Sequence, residues 1–161
     1  MNGDEGSNKK NWQNQQPQKV CRGVRGAVTV DENSREAIVE ATRQLLETVT
    51  RLNDMALDDI ASVYFTTTTD LDAAYPAVAA RELGWFDVAL LCAHEMNVDD
   101  GLSRCIRVLI HWNTTLPAKE LPHVYLRGAK VLRPDLASRP LVRPYQANHV
   151  KTAVNILAQS L

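Results

Sequence analysis

Two arginines stand where an arginine is costly. Arg25 lies within VCRGVRGAVTV and Arg107 within CIRVLIHWNT, runs whose apolar and β-branched neighbours mark strand interiors, where an unpaired guanidinium taken out of water is expensive. Each therefore needs a partner: either an acidic side chain of the chain itself, such as Glu95 or Glu82, or an anionic ligand. A guanidinium grips a carboxylate through two parallel hydrogen bonds, a geometry that lysine cannot copy. The second alternative thus describes a pocket for small carboxylates, and the pattern alone leaves both open.

Other chemistries are easier to exclude. The chain has no G-x-S-x-G elbow, no dinucleotide-binding glycine fingerprint, no Walker loop and no H-E-x-x-H, so a reaction without a cofactor is favoured. His94, His111, His123 and His149 are scattered without ligand spacing, and no metal site is expected. Cys21, Cys92 and Cys105 are odd in number and lack the close pairing of a zinc site or a disulfide framework, which points to a reducing, cytoplasmic setting. Eighteen basic against nineteen acidic residues leave a formal charge of −1. No global field draws the protein to nucleic acid or to a lipid surface, so any anion site must be a local cluster.

The elements that must carry these residues read as follows. Residues 1–19, rich in Asn, Gln, Lys, Gly and Ser, bury too little apolar surface to order and are expected to be a disordered extension. Val20, Arg22 and Val24 alternate with Cys21, Gly23 and Arg25 across a first strand. Asn33 with Glu36 forms a capping box ahead of a long amphipathic helix carrying Ile38, Leu45, Leu46, Val49 and Leu52. IASVYFTTTT is a second strand, with Val63 and Phe65 on one face, and leads into the acidic loop DLDAA. Pro76 opens and Gly84 caps a short helix over AVAAREL. VALLCA is a buried strand, and Arg104 to Thr114 a long one, with Cys105, Arg107, Leu109 and His111 on one face and Ile106, Val108, Ile110 and Trp112 on the other. HVYLRGAKVL is the last strand. This order predicts an α+β domain: a mixed sheet of about five strands with two main helices packed on one side. Beyond Leu136, prolines 140 and 144 mark a linker to a C-terminal amphipathic helix on which Val150, Ala153, Val154, Leu157, Ala158 and Leu161 share a face.

Five segments, RGVRGAVTV, TTTTDLDAAYPAVAARELGW, LLCAHEM, CIRVLIHWNT and HVYLRGAKVLRPDL, in this order and spacing, resemble the monofunctional trimeric chorismate mutases over about residues 20–136. The resemblance implies a homotrimeric pseudo-α/β barrel with active sites between subunits, rearranging chorismate to prephenate in aromatic amino-acid biosynthesis. That pericyclic step needs no proton transfer, covalent intermediate or metal. By matching motifs, Arg107 donates to the ether oxygen and to a substrate carboxylate, Arg25 holds a carboxylate with help from Tyr125, and Glu95 accepts from the ring hydroxyl. Cys92 lies beside Glu95 as a polar contact. Tyr75 and Arg81 reach in from the adjacent subunit, while Leu132 and Arg133 belong to a mobile C-terminal stretch that settles over the occupied site. The chain departs from the family in continuing past RPDL into its extra helix, for which packing on the trimer surface is the plainest expectation. The alternative is a catalytically silent trimer that binds a small carboxylate through Arg25.

Overall fold

The computed structural model describes residues 17–137; residues 1–16 of the expected N-terminal extension and the expected C-terminal amphipathic helix lie outside them. Five strands form one mixed sheet: β1 (Val20–Thr29), β2 (Ile60–Thr67), β3 (Ala89–His94), β4 (Cys105–Thr114) and β5 (Val124–Leu126), in the order β3-β2-β4-β1-β5. The central strand β4 runs antiparallel to β1 and β2, while β3 and β5 lie parallel to their neighbours at the edges. The helices are α1 (Arg35–Asn53), α2 (Ala77–Glu82) and α3 (Pro134–Ala137). Among the described residues no helix is long and apolar enough to cross a membrane.

Period-two alternation on β4 separates the two faces of the sheet. Ile106, Val108, Ile110 and Trp112 are buried and join Ile38, Leu45, Leu46 and Val49 of α1, and Ala80 of α2, in the main core. The opposite residues Arg107, Leu109, His111 and Asn113 are only half-buried. Burying each large apolar side chain contributes about 1.5–3 kcal/mol, so this pattern fixes which way Arg107 points: a one-residue slip would exchange the faces. Gly26 lets α1 come close, since a Cβ there would meet Leu45 and Val108 at 3.0 Å.

The structure corrects four local readings. The N-cap of α1 is Ser34, whose hydroxyl accepts from Ala37 N at 3.2 Å. Asn33 instead donates to Asp72 Oδ1 at 2.7 Å and accepts from Asp72 N and Ala73 N, both at 3.1 Å. It ties the start of α1 to the loop before α2. Pro76 is the N-cap of α2 rather than its first helical residue. At the other end, Gly84 adopts φ 86 while Gly84 N and Trp85 N return to Arg81 O and Ala80 O, the glycine-terminated turn expected of it. The apolar run of β3 is largely exposed, with Leu91 at 50 %, because it forms an edge strand whose outer face the described residues do not cover.

The last strand stops at Leu126. Arg127 takes φ 51, and residues 127–132 wind into a 3-10 helix. Gly128 N donates to the Thr29 hydroxyl at 2.9 Å, so close that a Cβ on Gly128 would meet that side chain at 3.0 Å. The contact folds the chain back over the end of β1, bringing Leu132 and Arg133 toward the open face of the sheet.

Candidate active site

The open face carries one row of side chains across the sheet. Thr66 on β2 pairs with Arg107 on β4, Arg107 with Ala27 on β1, and Ala27 with Tyr125 on β5. The next row along is Tyr64, Leu109 and Arg25. Glu95, the first residue after β3, hangs over this face, and Leu132 and Arg133 border it, enclosing a hollow of about 450 Å³. Six of the residues singled out in the sequence, Arg25, Glu95, Arg107, Tyr125, Leu132 and Arg133, therefore line one cavity.

Arg107 Nε lies 3.6 Å from Glu95 Oε2. That is an ion pair but longer than a hydrogen bond, and the buried Nε has no hydrogen-bond partner. Both sequence alternatives are thus present: an acid neutralises the guanidinium, while donor capacity remains for a ligand. For Arg25 the cost argument fails, because its side chain is exposed. Among the described residues it makes no ion pair, which leaves it able to take an anion. Arg133 is engaged with Asp135 through Nε–Oδ1 at 2.9 Å and Nη2–Oδ2 at 2.7 Å. That pairing, reinforced by Tyr125, raises the guanidinium's pKa above its usual value.

Cys92 and Tyr75 are not brought into this hollow. With Arg35, Pro76 and His94 they line a second depression of about 570 Å³ on the α2 side of the chain. In one chain, then, Cys92 does not share Glu95's cavity, although the two lie only three positions apart in sequence. Burial pushes the Cys92 thiol pKa up, with the Ala77 backbone partly opposing, so at neutral pH it is a thiol rather than a thiolate nucleophile. Arg81 borders neither depression; it is exposed near the end of α2 and forms no ion pair among the described residues.

The sequence reading missed Thr66, whose hydroxyl donates to Glu95 Oε2 at 2.6 Å, and Asp70. Asp70 accepts from Arg104 N at 2.9 and 3.1 Å and from the Thr68 hydroxyl, which in turn accepts from Cys105 N at 3.0 Å. Burial works to raise the Asp70 carboxyl, but the Thr68 and Arg104 hydrogen bonds outweigh it and hold the pKa below the usual range. This bridge sets where β4 begins, two residues before Arg107. The only available signal was the run TTTTD, which also reads as an ordinary strand end.

His123 accepts from Arg25 N through Nδ1 at 3.1 Å, which requires that nitrogen to be unprotonated. Burial lowers its pKa, and the Arg25 and Arg133 charges push the same way. The unfolded chain therefore takes up a proton at about pH 6.5 that the folded chain still refuses. The histidine's contribution to stability is complete above that pH and is lost as pH falls toward the lower folded pKa. Urea unfolding at pH 7.5 and pH 5.5 should show this loss, and His123→Asn should reduce it. An unchanged pH dependence in the variant counts against His123 as its source.

Comparison with known proteins adds to this geometry. Residues 21–136 match the family model for chorismate mutase type I. The chain is 50 % identical over 120 residues to the chorismate mutase AroH of Thermus thermophilus, covering 74 % of this chain and 98 % of that one. It is 44 % identical over 119 residues to the AroH of Bacillus subtilis strain 168, covering 73 % and 94 %. A solved chorismate mutase from Clostridium thermocellum superposes with a TM-score of 0.68 at 48 % identity, covering 68 % of this chain and 98 % of that one.

Proposed function

The chain belongs to the chorismate mutase type I family, and we propose that the hollow on its open sheet face is one half of the active site. The protein is an isomerase, converting chorismate to prephenate. One observation carries the site assignment: three arginines, two tyrosines and a single carboxylate face a hollow of about 450 Å³, a volume suited to a small dicarboxylate.

The chemistry asked of it is modest in groups and strict in geometry. The enzyme selects the compact conformer in which the bond-forming carbons meet, and stabilises the charge that separates as the ether C–O bond breaks. Arg107 donates to the ether oxygen and to a carboxylate with the donors its loose ion pair leaves available. Arg25, with no acid of its own among the described residues, holds the other end of the dianion together with Tyr125. Glu95 accepts from the ring hydroxyl and places negative charge near the allylic fragment as it becomes cationic. Arg133 closes over the bound substrate with Leu132, exchanging Asp135 for a substrate carboxylate.

The other half of the site comes from a neighbouring subunit of a homotrimer. Tyr75, Cys92 and Arg81 lie outside the first hollow in their own chain, and Tyr75 is 74 % exposed. The open face also exposes Tyr64 and Leu91, an apolar surface of the kind that subunits cover. A cytoplasmic location belongs to the same reading, supported by three free cysteines. A silent carboxylate-binding trimer is not favoured beside relatives named as chorismate mutases.

The test follows chorismate loss by absorbance with purified protein and no added cofactor. Saturable turnover to prephenate is expected. Correctly folded protein that leaves chorismate unchanged would overturn the reading.

A further inference from the structure

We propose that Thr66 is a positioning residue for this reaction, its hydroxyl holding Glu95 against the pull of Arg107. The inference rests on the site assignment above and adds a residue to it.

Glu95 opens the ten-residue connection between β3 and β4, where nothing in the strand pattern fixes a side chain. Two bonds from β2 supply the order. Glu95 N donates to Thr67 O at 2.8 Å, and the Thr66 hydroxyl donates to Glu95 Oε2 at 2.6 Å. Thr66 is well placed to anchor, because its strand is paired on both sides, with Ala93 of β3 and Arg107 of β4 as its direct partners. Its β-branched side chain has restricted rotamers. It also lines the substrate hollow, so the bond forms inside the site.

The geometry around Oε2 shows what the bond does. Arg107 is the cross-strand neighbour of Thr66, yet the guanidinium stops 3.6 Å from the carboxylate instead of closing to a bidentate pair. Opposite charges at that distance attract strongly in a partly desolvated cavity. A carboxylate free to turn would collapse onto Arg107, consuming donors the ether oxygen needs and the acceptor the ring hydroxyl needs. The Thr66 bond and the Arg107 approach both fall on Oε2, which leaves Oε1 for the substrate. Thr66 thus keeps two oppositely charged groups apart while both are engaged.

The experiment compares steady-state kinetics of Thr66→Val, which keeps the shape and removes the hydroxyl, with Thr66→Ser, which keeps the hydroxyl and removes the methyl. Thr66→Ala provides a second hydroxyl-free protein in case the valine variant does not fold. Removing a hydrogen bond to a charged group should lower kcat about ten- to a hundredfold in Thr66→Val, with KM changed less. Thr66→Ser should stay within about threefold of the parent. If Thr66 acts through Glu95, adding Thr66→Val to Glu95→Gln should cost about twofold at most. Parental kcat in the hydroxyl-free variants, an equal loss in Thr66→Ser, or an undiminished loss in the Glu95→Gln background would each overturn the proposal. A Glu95→Gln protein as active as the parent would instead overturn the role of Glu95, and that of Thr66 with it.

Discussion

Arg107→Ala is expected to lower kcat for chorismate by at least about 10²–10³, with a smaller change in KM. The guanidinium is asked to meet charge that exists fully only in the transition state, at an oxygen whose bond is breaking. Interactions of that kind appear in kcat, whereas contacts to a carboxylate present throughout appear in KM. The Arg107 side chain is 41 % exposed and that of Glu95 28 %, so the effect rests on position rather than burial: a donor fixed on a strand paired on both sides costs little reorganisation at the moment of reaction. Removing it also leaves the Glu95 carboxylate without its counter-charge, so the measured loss includes misplacement of that group. Arg107→Lys separates charge from geometry: an ammonium restores the sign but not two directed donors, and should recover only part of the rate. Near-parental kcat in Arg107→Ala, with folding verified by circular dichroism, would reject the role.

The position of Arg107 was readable in the sequence because β4 has a strict period of two and its apolar residues must face α1. That burial decides the orientation of every second residue without reference to function. The extent of α1 was readable for the same reason, its apolar face repeating through Ile38, Leu45, Leu46 and Val49. Its cap was not, because Asn33 and Ser34 are equally good caps, and what separates them is a tertiary bond from Asn33 to the loop at Asp72. The last strand was overextended because Ala129 and Val131 keep an apolar alternation going past Leu126, while the left-handed turn at Arg127 answers to the distant Thr29. The edge position of β3 could not be read from VALLCA, since an apolar run looks the same whether its cover comes from its own chain or from another. In the site, charged side chains on strands announced themselves by their cost, although for the exposed Arg25 that cost is not paid. Thr66 announced nothing: threonine is a natural strand former, and only the position of Glu95 gives its hydroxyl a task.

Mixing two disabled proteins should restore activity. Arg107→Ala damages the hollow on the open sheet face, and Arg81→Ala damages the α2 side, which no single chain brings to that hollow. If each site takes its first half from one subunit and its second from the next around a closed ring, a mixed trimer places an intact first half from an Arg81→Ala chain beside an intact second half from an Arg107→Ala chain. With random assembly of equal amounts, about a quarter of all sites are intact on both sides, and the mixture should approach that fraction of parental turnover. Sites confined within one chain yield no such recovery, because every chain carries a lesion. The two proteins are best combined by joint refolding or coexpression with different affinity tags, so that mixed trimers can be isolated before the rate is measured. Isolated mixed trimers that turn over chorismate no faster than the separate variants would place both halves in one subunit and send the roles of Tyr75, Cys92 and Arg81 back for reassignment. Recovery near the expected fraction would also explain why the open sheet face exposes Tyr64 and Leu91 among the described residues: the surface that α1 and α2 leave uncovered is the one that the next subunit completes.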